Sequence, residues 1–136
     1  MKITIACDVL GEANNGTSIA TLNLIRYLIK KGHQLKVISN NFENTEIPPE
    51  CQCLLPALNL GSLANKIIEK NGVSLAKADI DTIENAIKDA DLVHIQFPFM
   101  IGRSAAKTAI KFNKPITASF HCQAENVSVQ IGRAHV

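Results

Sequence analysis

Two apolar runs, separated by one segment of helical length, open the chain: residues 2–7, KITIAC, and residues 34–39, QLKVIS. Runs of this length and composition predict short strands that are buried on both faces. The segment between them has an apolar side and a polar side at helical spacing, as a helix packed on a sheet requires. Its apolar residues are Leu22, Ile25, Leu28 and Ile29. Because a helix connects the two strands, we expect them to be parallel.

The ends of this first helix are also marked in the sequence. Thr17 or Ser18 can supply the hydroxyl of an N-cap. Lys30 and Lys31 place positive charge at the end where the helix dipole favours it, and Gly32 is the residue expected just beyond the last turn. A strand–helix–strand unit over residues 2–39 is therefore predicted.

The rest of the chain continues the alternation. Residues 40–57, rich in Asn, Glu and Pro, predict a long connection with one extended piece. The remaining pattern predicts helices over 58–70, 79–89 and 102–113, and strands over 91–96 and 116–120. We expect the last of these to be a short, buried, central strand. Alternating strands and helices indicate an α/β fold with a Rossmann-like, doubly wound parallel sheet.

A polar cluster follows the strand predicted over 116–120. It consists of His121, Gln123, Glu125 and Asn126. An apolar core does not accept such groups unpaired, and ligands of open parallel sheets bind outside the carboxyl ends of the strands. The cluster is therefore predicted to face a crevice, although a lone His at a strand end is also a common structural residue.

The turn after the first strand is a second candidate. Gly16 follows Asn15 and precedes Thr17, and a glycine there lets main-chain N–H groups approach a phosphate near a helix N-terminus. The spacing is not that of a dinucleotide fingerprint. A simple turn at Gly16 is the alternative interpretation.

Composition excludes several classes of protein. The chain has 136 residues, a formal net charge of +2, no Trp and 4% aromatic residues. This argues against binding to nucleic acid, because neither a basic patch nor a stacking platform is present. The sequence shows no secretory leader and no run long enough to span a bilayer, so we expect a cytoplasmic protein.

The four cysteines do not suggest a cofactor. Cys7, Cys51, Cys53 and Cys122 lack the CxxC pairs of zinc and redox sites, and a cytoplasmic location predicts reduced thiols. We expect no metal and no cofactor.

Five segments, taken in order, resemble the N-terminal half of a GT-B fold glycosyltransferase of family 4. They are residues 1–8, 14–17, 31–35, 90–94 and 118–126. The last has the form Phe-His-x-Gln-x-Glu-Asn, which is similar to a bacterial subgroup with lipid or simple glycan acceptors. The resemblance implies retaining transfer of a sugar from a nucleotide-sugar donor without a metal. A lipid acceptor would bring the protein to the inner face of the membrane as a peripheral protein.

The resemblance also implies roles for individual residues. His121 would reach the donor sugar and the acceptor. Glu125 would orient His121, bind acceptor hydroxyls or stabilise positive charge near the anomeric carbon. Asn15, Gly16 and Thr17 would approach the donor diphosphate or the acceptor. Gln123 and Asn126 are further candidates for donor or acceptor binding. Arg103 is a candidate from its position at the start of a predicted helix, where it could meet a phosphate or a lipid head group; a solvated Arg103 is the alternative.

Domain organisation follows from the same resemblance. Residues 1–130 would be the acceptor-side domain, and a C-terminal domain that binds the nucleotide sugar would be missing. Residues 131–136, IGRAHV, match the translation of a common sequencing adapter, so we expect them to be a non-native read-through tail. The fragment alone is then predicted to be inactive.

Residues of two other classes of protein occur in the chain only in part. Asp8 after the first strand resembles the acidic pocket of a receiver domain, but the later strand ends lack the Asp and Lys that this class needs. An epimerase would need a dinucleotide fingerprint, and its Tyr-x-x-x-Lys spacing occurs here only on the first helix, at Tyr27 and Lys31. A non-catalytic Rossmann-like binding module remains as the alternative function.

Overall fold

The computed structural model describes residues 1–8, 10, 16–43, 45–55, 77–96 and 100–119. The strands are β1 (Lys2–Ala6), β2 (Gln34–Ser39), β3 (Gln52–Leu54), β4 (Leu92–Ile95) and β5 (Ile116–Ala118). The helices are α1 (Gly16–Lys30), α2 (Lys77–Ile87) and α3 (Met100–Lys111), with one 3-10 turn at Pro49–Cys51. All described strand pairs are parallel, in the order β3-β2-β1-β4-β5. The predicted Rossmann-like α/β fold is confirmed.

Strand β1 lies at the centre of this sheet. Ile3 pairs with Leu35 of β2 on one side and with Leu92 of β4 on the other. The chain therefore first winds outwards from β1 to β2 and β3, and then returns to the other side of β1 for β4 and β5. A reversal of strand order of this kind opens a crevice at the carboxyl ends of the strands.

The sheet has a hydrophobic cluster on each face. Ile3 and Ile5 of β1 point towards α1 and pack with Ile25, whereas Ala6 points the opposite way and packs with Ile83 of α2. The alternation follows from the two-residue period of a strand. Because both faces are covered, β1 can be apolar at nearly every position.

Helix α1 ends as predicted but begins earlier. Gly32 has φ of 90°, and the His33 amide donates to the Leu28 carbonyl at 3.1 Å, which is the bond of a Schellman ending. At the other end the helix already includes Gly16, so Thr17 and Ser18 lie inside its first turn. The prediction that one of them is the N-cap is wrong.

Helix α3 is shifted by two residues from its predicted range of 102–113. It begins at Met100 and ends at Lys111, because Asn113 takes φ of 56° and the Lys114 amide bonds the Ala109 carbonyl at 2.8 Å. An asparagine therefore provides here the left-handed turn that glycine provides after α1.

The position and burial of the fifth strand differ from the prediction. It was expected to be buried and central, but in the described sheet β5 is an edge strand that pairs with β4, and all three of its residues are exposed. Its apolar composition fits either position, and only strand pairing distinguishes them. The helix predicted over 58–70 lies outside the described residues.

None of the described helices combines the length and the hydrophobicity that crossing a bilayer requires.

Candidate functional site

The carboxyl ends of the strands place several polar residues at one edge of the sheet. Asp8 lies two residues beyond β1, Gln96 directly follows β4, and Ser119 directly follows β5. Gly16 begins α1, and the N-terminus of α3 lies beside Asp8. This edge is the one at which ligands of open parallel sheets bind.

Asp8 is a buried carboxylate at this edge. Its side chain is 2% exposed. Oδ1 accepts a hydrogen bond from the Ile101 amide at 2.7 Å, and Oδ2 accepts one from the Gly102 amide at 3.2 Å. Burial raises the pKa of Asp8 from its ordinary 3.8 to about 6, and the two amide hydrogen bonds offset only part of that rise.

The position of Asp8 determines what α3 can bind. The first amides of a helix are free to bind an anion, and the helix dipole favours one there. In this chain the carboxylate of Asp8 occupies two of these amides. The N-terminus of α3 is therefore capped from within the protein, by a residue that is 93 positions away from Ile101 in the sequence.

A second buried polar group joins α1 to the sheet. The Gln96 side-chain amide donates to Thr21 Oγ1 at 3.0 Å, and Cys7 Sγ lies 3.9 Å from the same hydroxyl. Gln96 and Thr21 are both buried. The contact links β1, α1 and β4 close to the point where α1 begins. The sequence analysis did not predict this role of Thr21, because no local pattern shows that a threonine within a helix is buried and hydrogen-bonded.

His94 forms a third polar group at the edge of the sheet. Its Nδ1 lies 2.7 Å from Thr117 Oγ1, and its Nε2 lies 2.8 Å from Ser119 Oγ. His94 pairs with Thr117 across β4 and β5, so the three side chains share one face of the sheet. The structure thus gives His94 specific partners on the neighbouring strand, which no local pattern in the sequence relates to it.

Two of the predicted site residues are exposed at this edge. Gly16 is exposed, and a Cβ added to it would meet no described atom within 4 Å. Arg103 is exposed in the first turn of α3. The space beside Gly16 is therefore open, and no described neighbour requires a glycine at this position.

One cleft lies away from this edge. A cavity of about 430 Å³ opens at the amino ends of the strands, where Lys2, His33 and Glu50 are among its lining residues. It is at the opposite edge from Asp8, Gln96 and Ser119. Ligand chemistry at the carboxyl edge therefore does not depend on it.

Comparison with known proteins establishes the family. The family model described as Glycosyltransferase Family 4 matches residues 14–135, which is most of the chain. The chain belongs to this family. No curated protein sequence matches it.

Solved structures agree with the fold of this family 4 domain. It is similar to two crystal structures of the C-terminal domain of a hydrogenase from Pyrococcus furiosus, with TM-scores of 0.50 and 0.51 and 16% sequence identity in both. The matches cover 87% and 88% of this chain and 90% of the other. At this identity the likeness concerns the fold alone.

The other predicted site residues of the family 4 domain lie outside the described residues. They are Asn15, His121, Gln123, Glu125 and Asn126. The backbone of Thr17 lies in α1, and nothing further is described for it. Their roles stay predictions. In the part of the chain that the structure describes, no group of three His, Cys, Asp or Glu side chains is placed to hold a metal ion.

Proposed function

We propose that the chain is the acceptor-side domain of a retaining glycosyltransferase, which moves a sugar from a nucleotide-sugar donor to a lipid or glycan acceptor. The observation that carries this proposal is the match to Glycosyltransferase Family 4 over residues 14–135. The arrangement of the carboxyl edge supports it, because ligands of open parallel sheets bind at this edge and Gly16 and the end of β5 both lie there.

His121 is the residue on which the proposed chemistry depends most. It lies two residues beyond Ser119, and two residues span at most about 7 Å of chain. In this proposal the 121–126 cluster acts at the carboxyl edge, where Ser119 is the last described residue. There the imidazole would hydrogen-bond a hydroxyl of the donor sugar and hold the acceptor oxygen against the anomeric carbon. Glu125 would orient the imidazole or stabilise the positive charge that develops on the sugar.

The donor phosphates would be held from two sides. The amides of the turn at Asn15, Gly16 and Thr17 would approach the diphosphate, and the exposed Arg103 would add positive charge. The two amides of α3 that Asp8 occupies do not take part. Gln123 and Asn126 would bind acceptor hydroxyls. The proposal includes no metal and no other cofactor.

A second domain completes the proposed enzyme. It would bind the nucleotide, and closure of the two domains around the donor would complete the site, so residues 1–130 alone would not transfer sugar. Sequencing the gene beyond the codon for Gln130 tests this. We expect a second α/β domain there, together with loss of the codons for residues 131–136. A gene that encodes IGRAHV and then stops in an intact locus would contradict it.

The first prediction concerns His121. In the complete gene product, His121→Ala is expected to lower sugar transfer by at least about a hundredfold, because the group that positions donor and acceptor is lost. The measurement is transfer of labelled sugar from a panel of nucleotide sugars to lipid and glycan acceptors.

His33→Ala is the matched control for this prediction. It makes the same change at the amino edge of the sheet, where His33 lines the cavity, and it should leave transfer unchanged. Unchanged transfer in His121→Ala would instead favour a non-catalytic binding role for this domain.

A further inference from the structure

His94 contacts two hydroxyl groups of the neighbouring strand at once. Nδ1 faces Thr117 Oγ1 at 2.7 Å, and Nε2 faces Ser119 Oγ at 2.8 Å. A hydroxyl can donate or accept a hydrogen bond, so both contacts persist in either tautomer of the ring. The His94 side chain therefore bridges Thr117, which lies in β5, and Ser119, which directly follows β5.

Apart from the contacts of His94, the described attachment of β5 to the sheet is its backbone pairing with β4. β5 is three residues long, lies at the edge of the described sheet and is exposed throughout. Backbone bonds join it to β4 at both ends: the Val93 amide donates to the Pro115 carbonyl at 3.0 Å, and the Ser119 amide donates to the Ile95 carbonyl at 2.9 Å. The Ser119 side chain is the last described point of this attachment.

We propose that His94 is a positioning residue for glycosyl transfer, which acts through Ser119 to fix where the chain leaves the sheet towards His121. This proposal rests on the function proposed above, since its effect on transfer requires His121 to act at the carboxyl edge. Ser119 is the last described residue before His121, which follows it by two positions in the sequence. His94 itself touches neither donor nor acceptor in this proposal.

Two conservative substitutions separate the two contacts of the ring. The side-chain amide of Asn places a polar atom near the position of Nδ1, and that of Gln places one near the position of Nε2. His94→Asn therefore keeps the contact with Thr117 and loses the contact with Ser119. His94→Gln keeps the contact with Ser119 and loses the other.

Transfer kinetics of the complete gene product give the first test. His94→Asn and Ser119→Ala are each expected to lower kcat by about tenfold to a hundredfold with KM nearly unchanged, because the reacting groups are misplaced and not lost. His94→Gln should retain most of kcat, and the double variant His94→Asn/Ser119→Ala should be no slower than Ser119→Ala alone. A general packing role would instead make the Asn and Gln variants equally slow.

Amide hydrogen exchange in the 136-residue chain gives a test that needs no transfer activity. Exchange of the Ser119 amide, which donates to the Ile95 carbonyl at 2.9 Å, should be faster by about fivefold in His94→Asn and Ser119→Ala, the change expected for loss of one ordinary hydrogen bond, and not in His94→Gln. If exchange follows this pattern but the complete wild-type protein transfers no sugar, the proposed function fails and the role of His94 in holding this segment stands. If His94→Gln exchanges as fast as His94→Asn, the positioning role is overturned whatever the transfer assay shows.

Discussion

At the scale of single residues, Asp8 is a buried carboxylate whose pKa is set by its environment. Its folded pKa of about 6 is above its ordinary 3.8, because burial disfavours the charged form more than the Ile101 and Gly102 amides favour it. A group with a raised folded pKa contributes stability that is fully present below its unfolded pKa and is lost as the pH rises through its folded pKa. For Asp8 that loss falls between about pH 4 and pH 6.

The resulting prediction compares the wild type with Asp8→Asn, which cannot ionise. The free energy of unfolding of the wild type, minus that of the variant, should fall by roughly 3 kcal/mol between pH 4 and pH 7, since two pKa units correspond to about that energy. Urea denaturation at several pH values measures it. Asp81→Asn, at an exposed position of α2, is the control. If the unfolding free energy of the wild type minus that of Asp8→Asn rises with pH, the raised pKa of Asp8 is contradicted.

At the scale of secondary-structure elements, a buried hydrogen bond joins α1 to the end of β4. Thr21 of α1 and Gln96 after β4 are joined by one hydrogen bond of 3.0 Å, although they are separated by 75 positions in the sequence. Such a bond contributes modestly to the free energy of unfolding when both partners are present. Removing one partner costs more, because the other polar group then stays buried without this hydrogen bond and without water in its place.

This asymmetry predicts non-additive variants. Gln96→Leu and Thr21→Val should each lower the free energy of unfolding by about 1 to 3 kcal/mol, and the double variant should cost less than the sum of the two. Denaturation of the four proteins in a double-mutant cycle measures the coupling. Strictly additive losses would show that the contact contributes nothing to the docking of α1.

At the scale of the whole molecule, stability comes from the two clusters on opposite faces of the sheet. Ile83 of α2 is fully buried, in the cluster that also contains Ile38 and Val93, and it has no access to water. Deletion of such a side chain removes apolar contacts and leaves a cavity that the surrounding structure fills only in part.

Ile83→Ala is therefore expected to lower the free energy of unfolding by about 2 to 5 kcal/mol in urea denaturation. Ile110→Ala is the matched control, because the same residue type on α3 is 67% exposed. It should change stability by less than about 0.5 kcal/mol. Equal losses in the two variants would contradict the burial of Ile83 in the core or the exposure of Ile110 to solvent.

Local patterns in the sequence determined the elements and the fold class. β2 spans the predicted residues 34–39, and β1 and β4 lie inside their predicted ranges, because an apolar run that is buried on both faces is visible in the sequence itself. The end of α1 was visible for a similar reason, since Gly32 adopts a backbone conformation that other residues avoid. The five segments that resemble family 4 likewise lie in the sequence, and the family match over 14–135 agrees with them.

Only the tertiary structure decided which distant groups meet. The edge position of β5, the capping of α3 by Asp8 and the contacts of His94 with Thr117 and Ser119 all depend on strand pairing. A strand's apolar composition is compatible with a central or an edge position, and a polar residue at a strand end does not specify its partner. Long-range pairing fixes these contacts, because it brings together side chains that no local pattern relates.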